Sequence, residues 1–446
     1  MKTPLLSLSF AVSIFILGAP VQKVAAQIPG GFSPAVANDE GALAAAKFAA
    51  NAHDAKLAFV SIEKAERQVV AGLNYKLTIK VTDGGKARRA DAVVWRKLDG
   101  THALTSWKWL DAARAQAGIL KSEFIYETAP FPSCHASTIA ETPGGLVAAW
   151  FGGTREGAPD VGIWLSRLLD GKWSAPVEVA NGVREDGKRF ACFNPVLFQP
   201  KDKPLLLFYK SGGHPNGWEG FLKTSGDNGA TWSEAMDLPE GYVGPVKNKP
   251  VQLADGTLLC GSSIETSEKP SRWRVQFERT EYCGMAWTKT DFLNDGVAIS
   301  AIQPSILFLG GEKLLALGRT RQSKIFQITS EDLGRTWGEM KLTALPNPNS
   351  GTDAVTLRDG RHLLIYNHTA KGRSPLNLAL SRDGVTWEAA LVLESDPGEY
   401  SYPAIIQTAD GLVHITYTWK RQRVRHAVID PALLKTRVIV DGVWAE

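Results

Sequence analysis

The sequence predicts a mainly β protein, a six-bladed β-propeller preceded by a small α+β domain. Three observations carry that expectation. A strand–turn–strand unit recurs six times at a spacing of about 50 residues. A second motif of the form Ser-x-Asp-x-Gly-x-Thr-Trp, complete, abbreviated or degenerate, recurs in five copies, one to a unit and out of phase with the first. The chain also carries 42 Gly, 14 Trp and 17 Phe, which suits many short strands joined by tight turns. At 446 residues it exceeds one ordinary domain, and Lys+Arg 50 against Asp+Glu 46 leaves a net charge of only +4. That balance gives no reason to expect nucleic acid as a partner.

Taken in order, residues 1–26 read as a signal peptide. Lys2 precedes an uncharged apolar run, and the small residues Ala25 and Ala26 stand before Gln27 as a cleavage site. Secretion or export to an extracytoplasmic space follows as the expected localisation, with no membrane span in the mature protein. Four cysteines, Cys134, Cys192, Cys260 and Cys283, allow three disulfide pairings, and spacing selects none. No Cys-x-x-Cys or His-x-x-x-His pair appears, so no metal or other cofactor is expected.

Residues 27–110 form the first expected domain. The stretch 43–53 (LAAAKFAANAH) is Ala-rich and predicts a helix; 58–60, 69–81 and 90–95 predict strands, with Asp83-Gly84-Gly85 as a turn. Gly30 and Gly31 in GGFSP, the helix AKFAANAHD, and Gln68-Val69-Val70-Ala71-Gly72 together resemble the cystatins, especially those of plants. The resemblance implies that a glycine trunk and two hairpin tips form a wedge that enters the cleft of a papain-like cysteine protease. Leu98-Asp99 stands where the family's second tip carries Pro-Trp, so one apolar anchor is expected to be missing. A spacer or docking role is the alternative for this domain. Residues 111–124 are expected to be a linker, with its Ala-rich part (111–122) a short connecting helix or extended segment.

Residues 125–446 hold the repeat. The six turns are marked by Gly145, Asp202, Gly256, Gly311, Gly360 and Gly411. The second motif is complete at Ser225 (SGDNGATW) and Ser330 (SEDLGRTW), one residue shorter at Ser381 (SRDGVTW), and degenerate at Ser166 and Thr280. These segments resemble the Asp-box of sialidases. Its Asp and Ser cap the loop's own N–H groups and its Trp packs between sheets, a structural role. A six-bladed sialidase-like propeller accounts for both periods, with 123–128 closing the last blade; a β-solenoid is the alternative architecture.

The sialidase resemblance implies a site at the central mouth, where an arginine triad grips a sugar carboxylate through charge-assisted forks. Arg319 falls at the second arginine position and Arg373 at the third, while His135 stands at the first, as a weaker contact or an ordinary strand histidine. Asp160 matches the aspartate that handles the leaving-group proton, a role that requires a raised pKa. Tyr400, followed by Ser401, matches the nucleophile's context, with Tyr402 as a competing candidate. Gln303 stands where the family's glutamate would deprotonate the tyrosine, and Glu265 is the nearest acidic substitute. Asn194, Lys249, the neighbouring Lys247 and Asn248, the run Asn349-Ser350-Gly351, and Arg421 are further candidates for lining the mouth, or else loop caps. The function expected is an exo-glycosidase acting on an acidic terminal sugar, a sialic-acid relative or uronic acid. The alternatives are a polysaccharide lyase on uronate-containing glycans, with His135 and Tyr400 exchanging protons, and a non-catalytic carbohydrate-binding propeller joined to an inhibitor.

Overall fold

A computed structural model describes residues 31–37, 39–83, 86–109, 118–213, 215–281 and 286–444. Packing divides the chain into two compact units, Met1–Ala115 and Gln116–Glu446. Among the described residues no helix is long and apolar enough to cross a membrane. The expected signal peptide and Gly30 lie outside the described residues.

The first unit lays one helix on a five-stranded antiparallel sheet. The helix Glu40–His53 starts at Asp39, whose carboxylate accepts the N–H groups of Gly41 and Ala42 at 2.7 and 3.1 Å. Ala42, Ala45, Ala46, Ala49 and Ala50 repeat at helical spacing and bury one face, and methyl side chains let it sit close to the sheet. Opposite them, Leu77, Ile79, Val81, Ala90, Ala92 and Val94 point inward at alternate positions. The strands run in the order Ser33–Pro34, Ala58–Val70, Gly72–Asp83, Lys86–Arg96 and His102–Trp109. The run expected as one strand over 69–81 is thus cut by a hairpin whose tip is Ala71. Gly72 permits that tip, because its φ is +113° and a Cβ there would meet the Arg96 carbonyl oxygen at 2.2 Å.

The second unit consists of six antiparallel sheets in chain order, a propeller-type arrangement. Their first strands are Ser133–Thr142, Cys192–Phe198, Val251–Gln252, Ala301–Gly310, Asp353–Thr356 and Tyr400–Gln407. The second sheet packs on the third through Val196, Phe208, Leu258 and Cys260. Along the rest of the series neighbouring sheets touch through their inner strands, and the first strand of the sixth packs against that of the first, closing the series. All six turn markers have positive φ, from 55° at Asp202 to 111° at Gly145. The closing strand is Ile119–Phe124, paired with Arg423–Ile429. It begins inside the stretch expected to be linker and ends before 128, because the alternating residues of ILKSEF continue the ladder of the sixth sheet.

The Asp-box turns are capped by their own Ser and Asp side chains. Ser330 Oγ receives the Gly334 N–H at 2.8 Å and donates to Asp332 Oδ1, whose carboxylate takes Thr336 N–H at 2.8 Å and Thr336 Oγ1–H at 2.6 Å. These bonds hold the Asp332 carboxyl down at about 2. Trp337 then stacks on Phe277 of the preceding sheet, centroids 3.9 Å apart. Cys134, Cys192 and Cys260 are buried free thiols, so none of them pairs with another; Cys283 lies outside the described residues.

Candidate active site

Four inner strands carry the same distortion. Register slips between His135 and Thr138, Phe193 and Val196, Ile302 and Ser305, and Ser401 and Ala404. At each slip one residue is left-handed: Ala136, Asn194, Gln303 and Tyr402, with φ of 55°, 39°, 61° and 49°. Proline follows in three of the four, at 195, 304 and 403, where a broken ladder needs no N–H donor. A bulge of this kind re-aims the side chain, and here it brings residues from distant sheets together.

Tyr402 is the centre of that assembly. Arg319 Nη1 donates to its hydroxyl at 2.7 Å, and the Arg319 and Arg373 guanidiniums lie 5.3 and 5.7 Å from its ring centroid. Lys247 Nζ is 6.0 Å from the same ring, and the His135 ring is 4.2 Å away. Arg373 donates to Glu399 Oε1 at 2.7 Å, and the same oxygen takes Arg421 Nε at 2.6 Å and Ser401 Oγ at 3.0 Å. Arg421, from the turn after Val413–Trp419, also reaches Glu156. It adds a third guanidinium to the assembly, beside the place where the first arginine was expected.

The floor is built across the axis. Lys249 of the third sheet pairs with Asp353 of the fifth at 3.0 Å, while Asp353 also takes Ser305 Oγ–H and the Ile405 N–H, each at 2.9 Å. Lys247 donates to the carbonyls of Thr352 and Pro403, tying down the residue after Tyr402. Burial brings its ammonium down to about 7. Burial first, then the charges of Arg421, Arg373, Arg319 and Lys247, hold the His135 imidazole well below its ordinary range. Burial acts to raise the Glu399 carboxyl, but Arg421 and Arg373 outweigh it and hold it below the usual carboxylate range.

Several buried polar atoms here have no partner among the described residues: His135 Nε2, Arg319 Nε, Gln303 Oε1 and Asn248 Oδ1. His135 Nδ1 meets Thr418 Oγ1 at 3.1 Å, leaving its other nitrogen for a ligand. Each unmet buried group costs about 1–3 kcal/mol, so a cluster of them marks a place where something else supplies the bonds.

Three expected site residues lie elsewhere. Tyr400 packs among Leu376, Leu391 and Ile405 in the core between the fifth and sixth sheets, and burial pushes its phenol up to about 12. Strict alternation would put 400 and 402 on one face; the left-handed Tyr402 breaks it. Glu265 is taken by the Trp273 indole N–H at 2.9 Å. Asp160 is exposed, and bonds from Thr154 Oγ1 and N–H hold its carboxyl below the usual range, the reverse of what a proton donor needs. Gln303 and Asn194 sit at the bulges, and Lys249 serves the floor. Glu399, Asp353 and Trp273 escaped sequence reading; the repeated left-handed residue with its following proline was the signal for the bulges.

In the first unit, strand register puts the two hairpin tips at one end of the sheet, since Leu73 pairs with Arg96. Gly31 and Phe32 precede Ser33, which pairs with Arg67, so the arm reaches the level of Gln68. Asn74 Nδ2 donates to Gln68 Oε1 at 3.0 Å, and the Trp95 indole N–H supports the Ala71 carbonyl at 3.1 Å. Val69 and Val70 are exposed at the first tip, and Leu98 at the second is 84% exposed. The second tip thus lacks the Pro-Trp pair, as the sequence reads, and presents Leu98 as its apolar surface.

Residues 144–415 match the family model of the BNR repeat-like domain. Residues 37–110 match a model described as aspartic acid proteinase inhibitor. Cystatin-1 of Zea mays is 42% identical over 79 residues, which cover 16% of this chain and 58% of that protein. Among solved structures, a protein of unknown function from Dyadobacter fermentans superposes with a TM-score of 0.60 at 17% identity, over 71% of this chain and 99% of that one. The Hadza microbial sialidase Hz136 gives 0.61 at 16% identity, over 82% and 75%. The intramolecular trans-sialidase from Ruminococcus gnavus gives 0.57 at 14% identity, over 72% and 99%. At these identities the likeness is one of fold.

Proposed function

Since this chain belongs to the family of BNR repeat-like domains, we propose that it is an exported, six-bladed sialidase-like exo-glycosidase cleaving a terminal acidic sugar at the mouth built around Tyr402. The carrying observation is that Arg319 and Arg373, remote in sequence, both flank the Tyr402 ring, with Arg421 joined to Arg373 through Glu399. Planar guanidiniums bind a carboxylate in a fixed, charge-assisted geometry. The sugar carboxylate sits between Arg319 and Arg373, which places the anomeric carbon over the Tyr402 oxygen; as that oxygen bonds to it the glycosidic C–O bond breaks, the phenol's proton goes to the departing oxygen, and water then hydrolyses the glycosyl-tyrosine to free sugar. Gln303 and His135 Nε2 take sugar hydroxyls, using the atoms left unpaired in the free protein.

A second reading has its own observation. His135 is neutral, has a free Nε2 and lies against Tyr402, while Gln303 stands where a base for the tyrosine was expected. A neutral imidazole and a phenol beside a guanidinium-neutralised uronate are the parts of a β-elimination, in which one removes the α-proton and the other protonates the leaving oxygen. Incubation of the full chain with sialosides, uronosides and acidic oligosaccharides separates the readings. The hydrolase releases a free reducing sugar with no new chromophore. An ultraviolet-absorbing unsaturated product identifies the lyase, and binding without turnover identifies a lectin and contradicts both.

The first unit we read as a cystatin-like proteinase inhibitor, its edge formed by Phe32, Val69, Val70 and Leu98 and its target a papain-like cysteine protease. The full chain is expected to inhibit papain, and a Val69→Asp/Leu98→Asp double variant to lose that inhibition. Inhibition of pepsin instead of papain would reassign the target class; inhibition of neither would leave the unit a spacer.

A further inference from the structure

A second polar groove, of about 340 Å³, opens between the loops that follow Leu258–Glu265 and Lys313–Thr320. Lys269, Ser271, Arg272, Ser300, Arg321 and Gln322 line it. Arg272 is neutralised by Glu268 at 2.6 Å, but Lys269 and Arg321 have no carboxylate partner among the described residues. Arg321 donates only to the Ser271 carbonyl, at 2.6 Å. The Ser271 and Ser300 hydroxyls are buried and unpartnered, Ser300 being only 4% exposed. Two cations without a carboxylate partner and two unmet hydroxyls among the described residues of one concavity are the complement of an anion with hydroxyl neighbours.

This groove adjoins the mouth. The Arg319 and Arg321 guanidiniums lie over the same Trp273 indole, at 5.0 and 4.2 Å from its ring, and Glu265 fixes that indole through its N–H. Arg319 faces Tyr402, whereas Arg321, two residues on, faces the groove, which puts the two cations within the reach of adjacent sugar units. We infer that the groove is a second anionic subsite, which takes the carboxylate of the sugar next to the one held at Arg319 and Arg373. The preferred ligand is then a glycan with two neighbouring acidic sugars. This inference rests on the reading of the mouth given above.

Calorimetric titration of the full chain with N-acetylneuraminic acid and its α-linked dimer, and with galacturonic acid and its dimer, tests it. For the sugar type that binds, the dimer is expected to bind roughly tenfold tighter than the monomer, the worth of one charge-assisted contact. In Lys269→Gln/Arg321→Gln that ratio falls towards one, and in Lys269→Gln alone, a loop change remote from the sheet core, it falls part of the way. Equal affinity for dimer and monomer in the unaltered protein, or a ratio that survives the double substitution, overturns the subsite while leaving the mouth intact. A monomer whose affinity is unchanged by Arg319→Gln overturns the reading of the mouth, and the subsite falls with it.

Discussion

The Asp-box turns and the bulges of the inner strands treat polar groups in opposite ways. At Ser330 and Asp332 the capping side chains find their partners within the loop. Around Tyr402, the bulged strands and their neighbours bring polar atoms together and leave His135 Nε2, Arg319 Nε, Gln303 Oε1 and Asn248 Oδ1 without a partner among the described residues. Satisfied polar groups close a turn and report only on the fold. Unsatisfied ones, buried beside three guanidiniums, carry a cost that the fold does not recover by itself, and they point to a ligand. Substitutions in the two regions are therefore expected to separate activity from stability.

The largest effects belong to the mouth. Tyr402→Phe and Arg319→Ala should each lower kcat/KM on an acidic sugar about 10²–10³-fold, with melting changed by no more than a few degrees. Full activity in either variant would place the chemistry elsewhere. Asp353→Ala sharpens the boundary, since it leaves Lys249 without its buried partner and should cost about 3 kcal/mol, read from denaturant unfolding. A loss of activity at unchanged stability would make Asp353 part of the site and not of its floor.

Acid provides a test of the buried histidines. His414 is held at about 4, by burial first and by the charge of His426 second, and His135 also stays neutral in the fold. The unfolded chain takes up these protons near pH 6.5, so stability is complete above that pH and declines as pH falls towards 4. A melting temperature that stays flat or rises over that window contradicts the assignment. On the outer side, Ser330→Ala should cost only about 1 kcal/mol and leave kcat/KM unaltered. The smallest effect is expected for Tyr400→Phe, whose activity should stay within about twofold, because its ring packs in the core between two sheets and its hydroxyl lies beside Gly398.

What the sequence disclosed follows the same division. The turn glycines and the Asp-boxes are local: their φ angles and internal bonds are set by residues within a few positions, so a period of about 50 could be read directly. Arg319 and Arg373 were legible by their place in that period. Tyr402 was legible only as a competing candidate, because choosing between it and Tyr400 requires knowing that the strand slips after Ser401 and turns left-handed at Tyr402. Glu399 matters because Arg373 and Arg421 both reach it from other segments, contacts of tertiary origin.

The most direct test of the mouth is a crystal structure of the full chain soaked with N-acetylneuraminate or galacturonate. The carboxylate should lie between Arg319 and Arg373, with the sugar against the Tyr402 hydroxyl and His135 Nε2 on one of its hydroxyls. A carboxylate bound away from both arginines, or a mouth filled by ordered water alone at saturating sugar, would contradict it.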